Sequence, residues 1–290
     1  MRVARSASLV AVAVLIVAPE LGTAAAHAVS PPTIEDMWLP RPALPAPPWP
    51  TVQRDACTPI SADTDPGRPQ PTPVIDLSRL WQFTRGAGQR VAVIDTGVSR
   101  HRWLPDIVAG GDYVSTGDGT QDCDAHGTLV AAIIAASADP RPGGFSGVAP
   151  EATVISIRQS SGKFGPSRDR SRSGVGDVET MAKAVRTAAD LGASVINISS
   201  VACVPATAAL DDRALGAALA YAVDVKNAVV VAPAGNMAGA PVGATAGDTV
   251  GDTAGAAQCP PQRRDATWDT ATVAVSPDWY ADYVLTVGSV

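Results

Sequence analysis

Three polar residues stand where an apolar run ends or begins, and between them they have the types needed for acyl transfer. Asp95 directly follows the run Val91-Ala92-Val93-Ile94, and Thr96 and Gly97 turn the chain behind it. His126 opens the stretch "HGTLVAAIIAA", with Gly127 and Thr128 at its back. Asn236 closes "VVVAPAGN", where an apolar run meets a glycine turn. A buried carboxylate is costly unless it is paired or hydrogen-bonded. Paired with an imidazole it becomes an orienting group, and the imidazole becomes a general base. An asparagine amide held on a turn can donate to a developing oxyanion. Each residue alone has a plainer role: a turn-capping Asp, a structural His, a turn Asn tolerating the left-handed conformation. Only the set argues for chemistry.

The residue census narrows that chemistry. The sequence has three histidines, His27, His101 and His126, and His27 lies in an N-terminal segment expected to be removed. A His-rich zinc site is therefore excluded, and neither a metal nor a cofactor is expected. The four cysteines, Cys57, Cys123, Cys203 and Cys259, form no C-x-x-C pair. In an exported chain an even number of such cysteines favours disulfides over metal, with three pairings open. The formal net charge is -6, from 22 basic and 28 acidic residues. No basic patch is evident, so nucleic acid is not an expected partner. "GAGQ" before Arg90 is glycine-rich, but a dinucleotide fingerprint needs its glycines after the strand, at a helix start.

The elements that must position these residues alternate. "RVAVID", "ATVISIRQ", "SVINIS", "AVVVAPAGN" and "YVLTVGSV" read as strands, the first as a buried parallel one. "LSRLWQF" has apolar residues at helical spacing, and "GTLVAAIIAA" reads as a buried helix. "DVETMAKAVRTAADLG" places Val178, Met181, Ala182, Val185, Ala189 and Leu191 mostly on one helical face, with Gly192 as its stop signal. "DDRALGAALAYAVDVKN" reads as a helix capped by Asp211 or Asp212. Strands alternating with helices predict an α/β fold, a parallel sheet with helices on both faces. Ligands in such sheets sit at the carboxyl ends of the strands. The stretch from Gly239 to Ala257 lacks periodicity and reads as a surface loop.

The N-terminus reads differently. Arg2 and Arg5 precede an apolar run from Leu9 to Ala18 and then small residues up to Ala28, the pattern of a secretory signal peptide over 1–28. Residues 31 to 73 then hold 13 of the 25 prolines. Prolines lack the backbone donors that helices and central strands need, so residues 29–75 read as an extended arm. Trp38, Trp49 and Cys57 suit an arm packed on the domain better than a free linker.

"VAVIDTGV", "HGTLVAAIIAA", "GVAPEATVISIR" and "PAGN" together resemble the Asp, His and oxyanion-Asn blocks of subtilisin-like serine proteases, in that family's chain order. The arm, "ISIRQSS", "AADLGASVINIS", "DDRALGAALAYAVDVKNAVVVAPAGN" and "WYADYVLTVGSV" resemble the mycosins, the members associated with type VII secretion. The resemblance implies a serine endopeptidase domain over 76–290, with Asp95 orienting, His126 as base and Asn236 donating to the oxyanion. Ser199, Ser200 and Gly235 fall where subtilases line the substrate groove. It further implies a protein or peptide substrate, a secretion membrane complex as partner, and a place in the cell envelope. The expected bridges are Cys57–Cys123, stapling the arm near His126, and Cys203–Cys259, following two strand ends on one edge of the sheet.

One block does not match. The family's Gly-Thr-Ser nucleophile segment has no counterpart here. After Asn236 the only serines are Ser276, followed by Pro-Asp-Trp, and Ser289. The expectation is a truncated gene or sequence fragment that lacks its nucleophile and is inactive by itself. The alternative is a non-catalytic scaffold beside a secretion complex.

Overall fold

The apolar runs form one parallel sheet. The computed structural model describes residues 29–59, 77–137, 145–208, 210–235, 259, 267 and 269–288. The expected signal segment, the rest of the arm, Asn236, the Gly239–Ala257 loop and Ser289 lie outside them. In chain order the elements are β1 Thr51–Gln53, α1 Leu77–Leu80, β2 Arg90–Asp95, β3 Ile107–Asp112, α2 His126–Ala135, β4 Thr153–Arg158, β5 Phe164–Pro166 and α3 Val178–Asp190. They continue with β6 Val195–Ile198, β7 Ala202–Pro205, α4 Arg213–Ala220, a π-helical turn Tyr221–Val225, β8 Val229–Pro233, β9 Val273–Ser276 and β10 Val284–Val287. Six strands lie in the order β10-β8-β6-β2-β4-β3, every neighbouring pair parallel. The winding reverses at β2: β3 and β4 lie to one side, β6, β8 and β10 to the other. Asp95 therefore ends the strand at the switch point, where such sheets place their ligands.

Alternation along β2 decides what faces the site. Ala92 and Ile94 pack with Met181, Val185, Leu215 and Leu219 of α3 and α4 on one face. Val93 packs with Ala131 and Ala135 of α2 on the other. With a period of two, Asp95 follows Val93 toward the α2 face. The expected helices on both faces are present. Fully burying side chains such as Val185 or Leu219 contributes about 1.5–3 kcal/mol each.

Two helices depart from expectation. The helix predicted as buried is buried on one side only: Ala131 and Ala135 meet the sheet, while Leu129 and Ile133 are 56% and 59% exposed. Small contact residues let the helix lie close to the sheet, and the longer side chains turn outward. Asp212 occupies the N-cap position of α4 but makes no capping bond. Its carboxylate instead accepts from Ser276 and Trp279 at Oδ2 and from Tyr280 at Oδ1. By contrast, α3 has a reciprocal capping box between Asp177 and Thr180, which satisfies donors at its open end.

Residues 29–59 run along this framework. Val29 joins the main core, and the Arg213 guanidinium lies 3.8 Å over the Trp38 ring. Arg186 donates to the Pro40 carbonyl, and Thr51–Gln53 pairs antiparallel with Phe164–Pro166. A disulfide joins Cys57 to Cys123, and Thr58 N–H donates to the Cys123 carbonyl. A second joins Cys203 to Cys259. Cys203 follows the end of β6 and Cys259 that of its neighbour β8; Cys203 itself lies within β7, which pairs antiparallel with β9 in a separate two-stranded sheet.

Candidate active site

Asp95 is 1% exposed, and its carboxylate points at His126. Nδ1 of His126 lies 2.8 Å from Oδ1 and 2.9 Å from Oδ2. The Thr96 N–H donates to Oδ1 at 2.6 Å. The acid is thus held by its own turn and by the imidazole, which resolves the cost of burying it. Facing Nδ1–H to a carboxylate leaves Nε2 as the basic nitrogen. The ring remains 56% exposed, so Nε2 has room for a reactant. The hydrogen bond to Asp95 is the main cause raising the His126 pKa above its ordinary 6.5, reinforced by the charges of Asp95, Asp122 and Asp124 and opposed by burial.

Helix α2 begins unusually close to β2, and the sequence shows why. A Cβ on Gly127 would lie 2.2 Å from the Gly97 carbonyl oxygen and 3.0 Å from Asp95 Oδ1. Only glycine allows that approach, so Gly127 admits backbone and the acid rather than groups approaching the ring. Ala125, just before the helix, is left-handed at φ 70°. Such a turn is costly for alanine and needs holding from outside.

The hold comes from residues that sequence reasoning passed over. The Asp122 carboxylate accepts from the hydroxyls of Thr96 (2.8 Å) and Thr128 (2.7 Å) and from the N–H groups of Asp124 (3.1 Å), Ala125 (2.8 Å) and Thr128 (2.9 Å). Thr96 Oγ1 in turn accepts from Gly127 N–H at 2.9 Å. Burial raises the Asp122 pKa, against these hydrogen bonds, which lower it. Asp124 accepts from Ser161 Oγ and Gly162 N–H and so ties the same turn to the loop after β4.

The expected groove residues follow neighbouring strands. Ser199 follows β6 beside β2: its N–H donates to the Ile94 carbonyl and its Oγ accepts from Asn197. Ser200 lines a mostly apolar cavity of about 260 Å³ with Gln159, Gly176, Met181, Val201 and Leu215. Gln159 follows β4 and Ser200 follows β6, the strands on either side of β2. Gly235, at φ 154°, follows β8 and faces Cys259. Asn236, the expected oxyanion donor, lies outside the described residues. Ser276 is 1% exposed and donates to Asp212 at 2.5 Å. His101 lies in a turn of its own, where its Nδ1 accepts from the Trp103 N–H. Among the described residues no cluster of His, Cys, Asp and Glu could hold a metal ion, and no helix is long and apolar enough to cross a membrane.

The chain matches the subtilase family over residues 86–290. Mycosin-4 of Mycobacterium tuberculosis (strain ATCC 25618 / H37Rv) is 64% identical over 293 residues, which cover 100% of this chain and 61% of that protein. Mycosin-3 of the same strain is 40% identical, over 98% of this chain and 62% of that protein. The chain thus spans a little over three fifths of the length of these two relatives. The MycP3 protease from the type VII (ESX-3) secretion system has a similar structure, with a TM-score of 0.73 and 44% identity over 90% of this chain and 70% of that one. A chain in the periplasmic assembly from the ESX-5 inner membrane complex has a TM-score of 0.72 and 41% identity over 90% of this chain and 67% of its own length. Family match and relatives together show that the chain belongs to the subtilase family and, within it, to the mycosins.

Proposed function

We propose that this chain supplies the acid–base pair and part of the substrate groove of a mycosin-type serine endopeptidase, exported and working beside a type VII secretion membrane complex. The supporting observation is the buried Asp95 carboxylate on Nδ1 of a half-exposed His126 at the sheet's switch point. In this reading Nε2 takes the proton of a serine hydroxyl as its oxygen attacks the peptide carbonyl. The same nitrogen then returns the proton to the leaving amine. Asp95 keeps the tautomer and stabilises the imidazolium, and Asn236 donates to the oxyanion. The apolar cavity beside Ser200 takes a substrate side chain. Since the base must be neutral, the raised His126 pKa moves the acid limb of the rate profile above the ordinary imidazole range. Partnership with a secretion complex rests on the relative found in the ESX-5 assembly.

The nucleophile is the incomplete part. No serine of the sequence stands in a Gly-Thr-Ser block, so the 290 residues by themselves are proposed not to hydrolyse peptides. A fluorophosphonate probe, which needs an activated serine, tests this. The expected result is no labelling of the 290-residue chain and labelling once it is joined to the part of Mycosin-4 outside the matched 61%, where the nucleophile is proposed to lie. His126→Ala should then abolish it. Stoichiometric labelling of the short chain at Ser199, Ser200, Ser276 or Ser289 would identify a different nucleophile. No labelling of the joined, folded protein would favour a scaffold.

A further inference from the structure

We propose that Asp122 is a positioning residue for the general base, which sets the reach of His126 to Asp95 through the hydrogen bonds it gathers rather than through its charge alone. The inference rests on the acid–base reading above and goes one layer beneath it. Three consecutive residues before His126 are each tied to a different element. Asp122 is bonded to Thr96, beside the catalytic acid, and to Thr128 in α2. Cys123 is bonded to the arm through Cys57. Asp124 is bonded to Ser161 and Gly162. Of the three, only Asp122 touches both the turn carrying Asp95 and the helix carrying His126.

The geometry makes it a bracket. One carboxylate oxygen takes the Thr96 hydroxyl and the N–H groups of Asp124 and Ala125; the other takes both donors of Thr128. Donors at Ala125 and Thr128 flank His126, so its backbone is fixed from both sides. Thr96, bonded to Asp122 through its hydroxyl proton, uses its oxygen to receive Gly127 N–H. The backbone N–H of Thr96 itself is bonded to Asp95 Oδ1. A continuous path of hydrogen bonds therefore joins base and acid around Asp122. The bond from Ala125 N–H to Asp122 holds the left-handed residue itself, beside the ties that Cys123 and Asp124 give the same turn.

The test reads the imidazole directly, in the 290-residue chain, by NMR titration of His126 and by its low-field Nδ1 proton, with His126→Ala to assign the signals. The charged groups facing the ring are Asp95, Asp122 and Asp124. Asp122→Asn removes charge and acceptor capacity. Thr96→Val keeps the Asp122 charge but cuts its bridge to Gly127. Asp124→Asn removes a comparable charge without touching the bracket. Positioning predicts that Asp122→Asn and Thr96→Val each lower the His126 pKa by about 0.5–1 unit and broaden the Nδ1 proton signal. Asp124→Asn should shift the pKa less and keep the signal sharp. A charge effect alone would make Asp122→Asn and Asp124→Asn alike, leave Thr96→Val like wild type, and overturn the proposal. Should Asp122→Asn not fold, Thr96→Val and Thr128→Val still decide it. In a chain joined to its nucleophile segment, Asp122→Asn should lower kcat about tenfold with KM little changed. Failure of that joined chain to label at all would sink the protease reading, while the His126 titration would still decide the role of Asp122.

Discussion

Asp122 and Asp212 are acids of one kind put to opposite uses. Both lie just before a helix, both have pKa values raised chiefly by burial, and neither carboxylate has a cationic partner among its hydrogen bonds. Asp122 collects donors from nearby: apart from Thr96, all come from within six residues, three of them backbone N–H groups. Asp212 collects three side chains, Ser276, Trp279 and Tyr280, from 64 to 68 residues away. The first arrangement shapes a turn beside the site. The second clasps the start of α4 to the end of β9 and the turn that follows, and Leu215 and Ser276 from the two sides line the cavity beside Ser200. On the role proposed for Asp122, what separates it from Asp212 is where the partners come from, since both are buried acids.

The sharpest way to break that contrast is Asp212→Ala. It would leave the Ser276 hydroxyl and the Trp279 N–H, on residues at 1% and 9% exposure, without their acceptor, and the Tyr280 hydroxyl with only the carbonyl of residue 212 at 3.2 Å. Tyr280 also packs tightly on Gly216 of α4, where a Cβ would lie 2.6 Å from its ring, so the segment has little room to relax. The expected loss is about 3–5 kcal/mol of unfolding free energy, read from urea denaturation. Asp122→Asn should cost less, about 1–2 kcal/mol: Thr96, Ala125 and Thr128 are buried, but asparagine keeps one acceptor oxygen for their donors. Equal losses would erase the distinction. Next in size is the Cys57–Cys123 bridge, which closes a 66-residue separation. Replacing both cysteines by serine should cost about 2–4 kcal/mol. The His126 Nδ1 signal should survive, because the Asp122 bonds do not pass through the arm.

Gly127→Ala strikes the other side of the comparison. The added carbon would meet the Gly97 carbonyl at 2.2 Å, so α2 must move off β2. An overpacking cost of about 1–3 kcal/mol is expected, together with loss of the sharp Nδ1 signal. A folded variant that keeps that signal would show that the helix start adapts without it.

How much of this the sequence disclosed follows the same division between local and distant causes. β2 was legible because Val91 to Ile94 is an unbroken apolar run, and Asp95 was conspicuous at its end. α3 was legible from its apolar face and its start at Asp177. β3 was not, since Gly110 and Gly111 interrupt it. Gly110 lies where a Cβ would meet Ile157 at 2.6 Å, and the pairing register shifts between Ala109 and Gly111. β1, β5, β7 and β9 are three or four residues long and owe their form to partners far along the chain. Asp212 looked like a cap because its tertiary donors cannot be seen locally. Asp122 was overlooked for another reason: capping rules inspect the residue next to the helix, here Ala125, while the acid works from three residues further back. The outward face of α2 was hidden because Leu129 and Ile133 look like core on hydrophobicity alone.

The smallest expected effect concerns pH, and its sign separates the base from the acids. His126, Asp122 and Asp212 all have folded pKa values above their ordinary 6.5 and 3.8. A raised folded pKa means that the group's contribution to stability is complete below its unfolded pKa and is lost as pH rises through the folded value. For the two acids that window opens near their ordinary 3.8; for His126 it opens near the ordinary 6.5 and runs upward. Stability against urea should therefore fall in two stages as pH rises. Asp212→Asn and Asp122→Asn should reduce the pH dependence of the lower stage, to which Asp278, raised to about 6 by burial, also contributes, and leave the upper, whereas His126→Ala should flatten the upper and leave the lower. Because the imidazole is 56% exposed, solvent screening holds its part below about 1 kcal/mol. A His126→Ala variant whose stability still falls through the upper window as steeply as wild type would mean that the Asp95 bond does little for the fold, and that its strength is reserved for orienting the base.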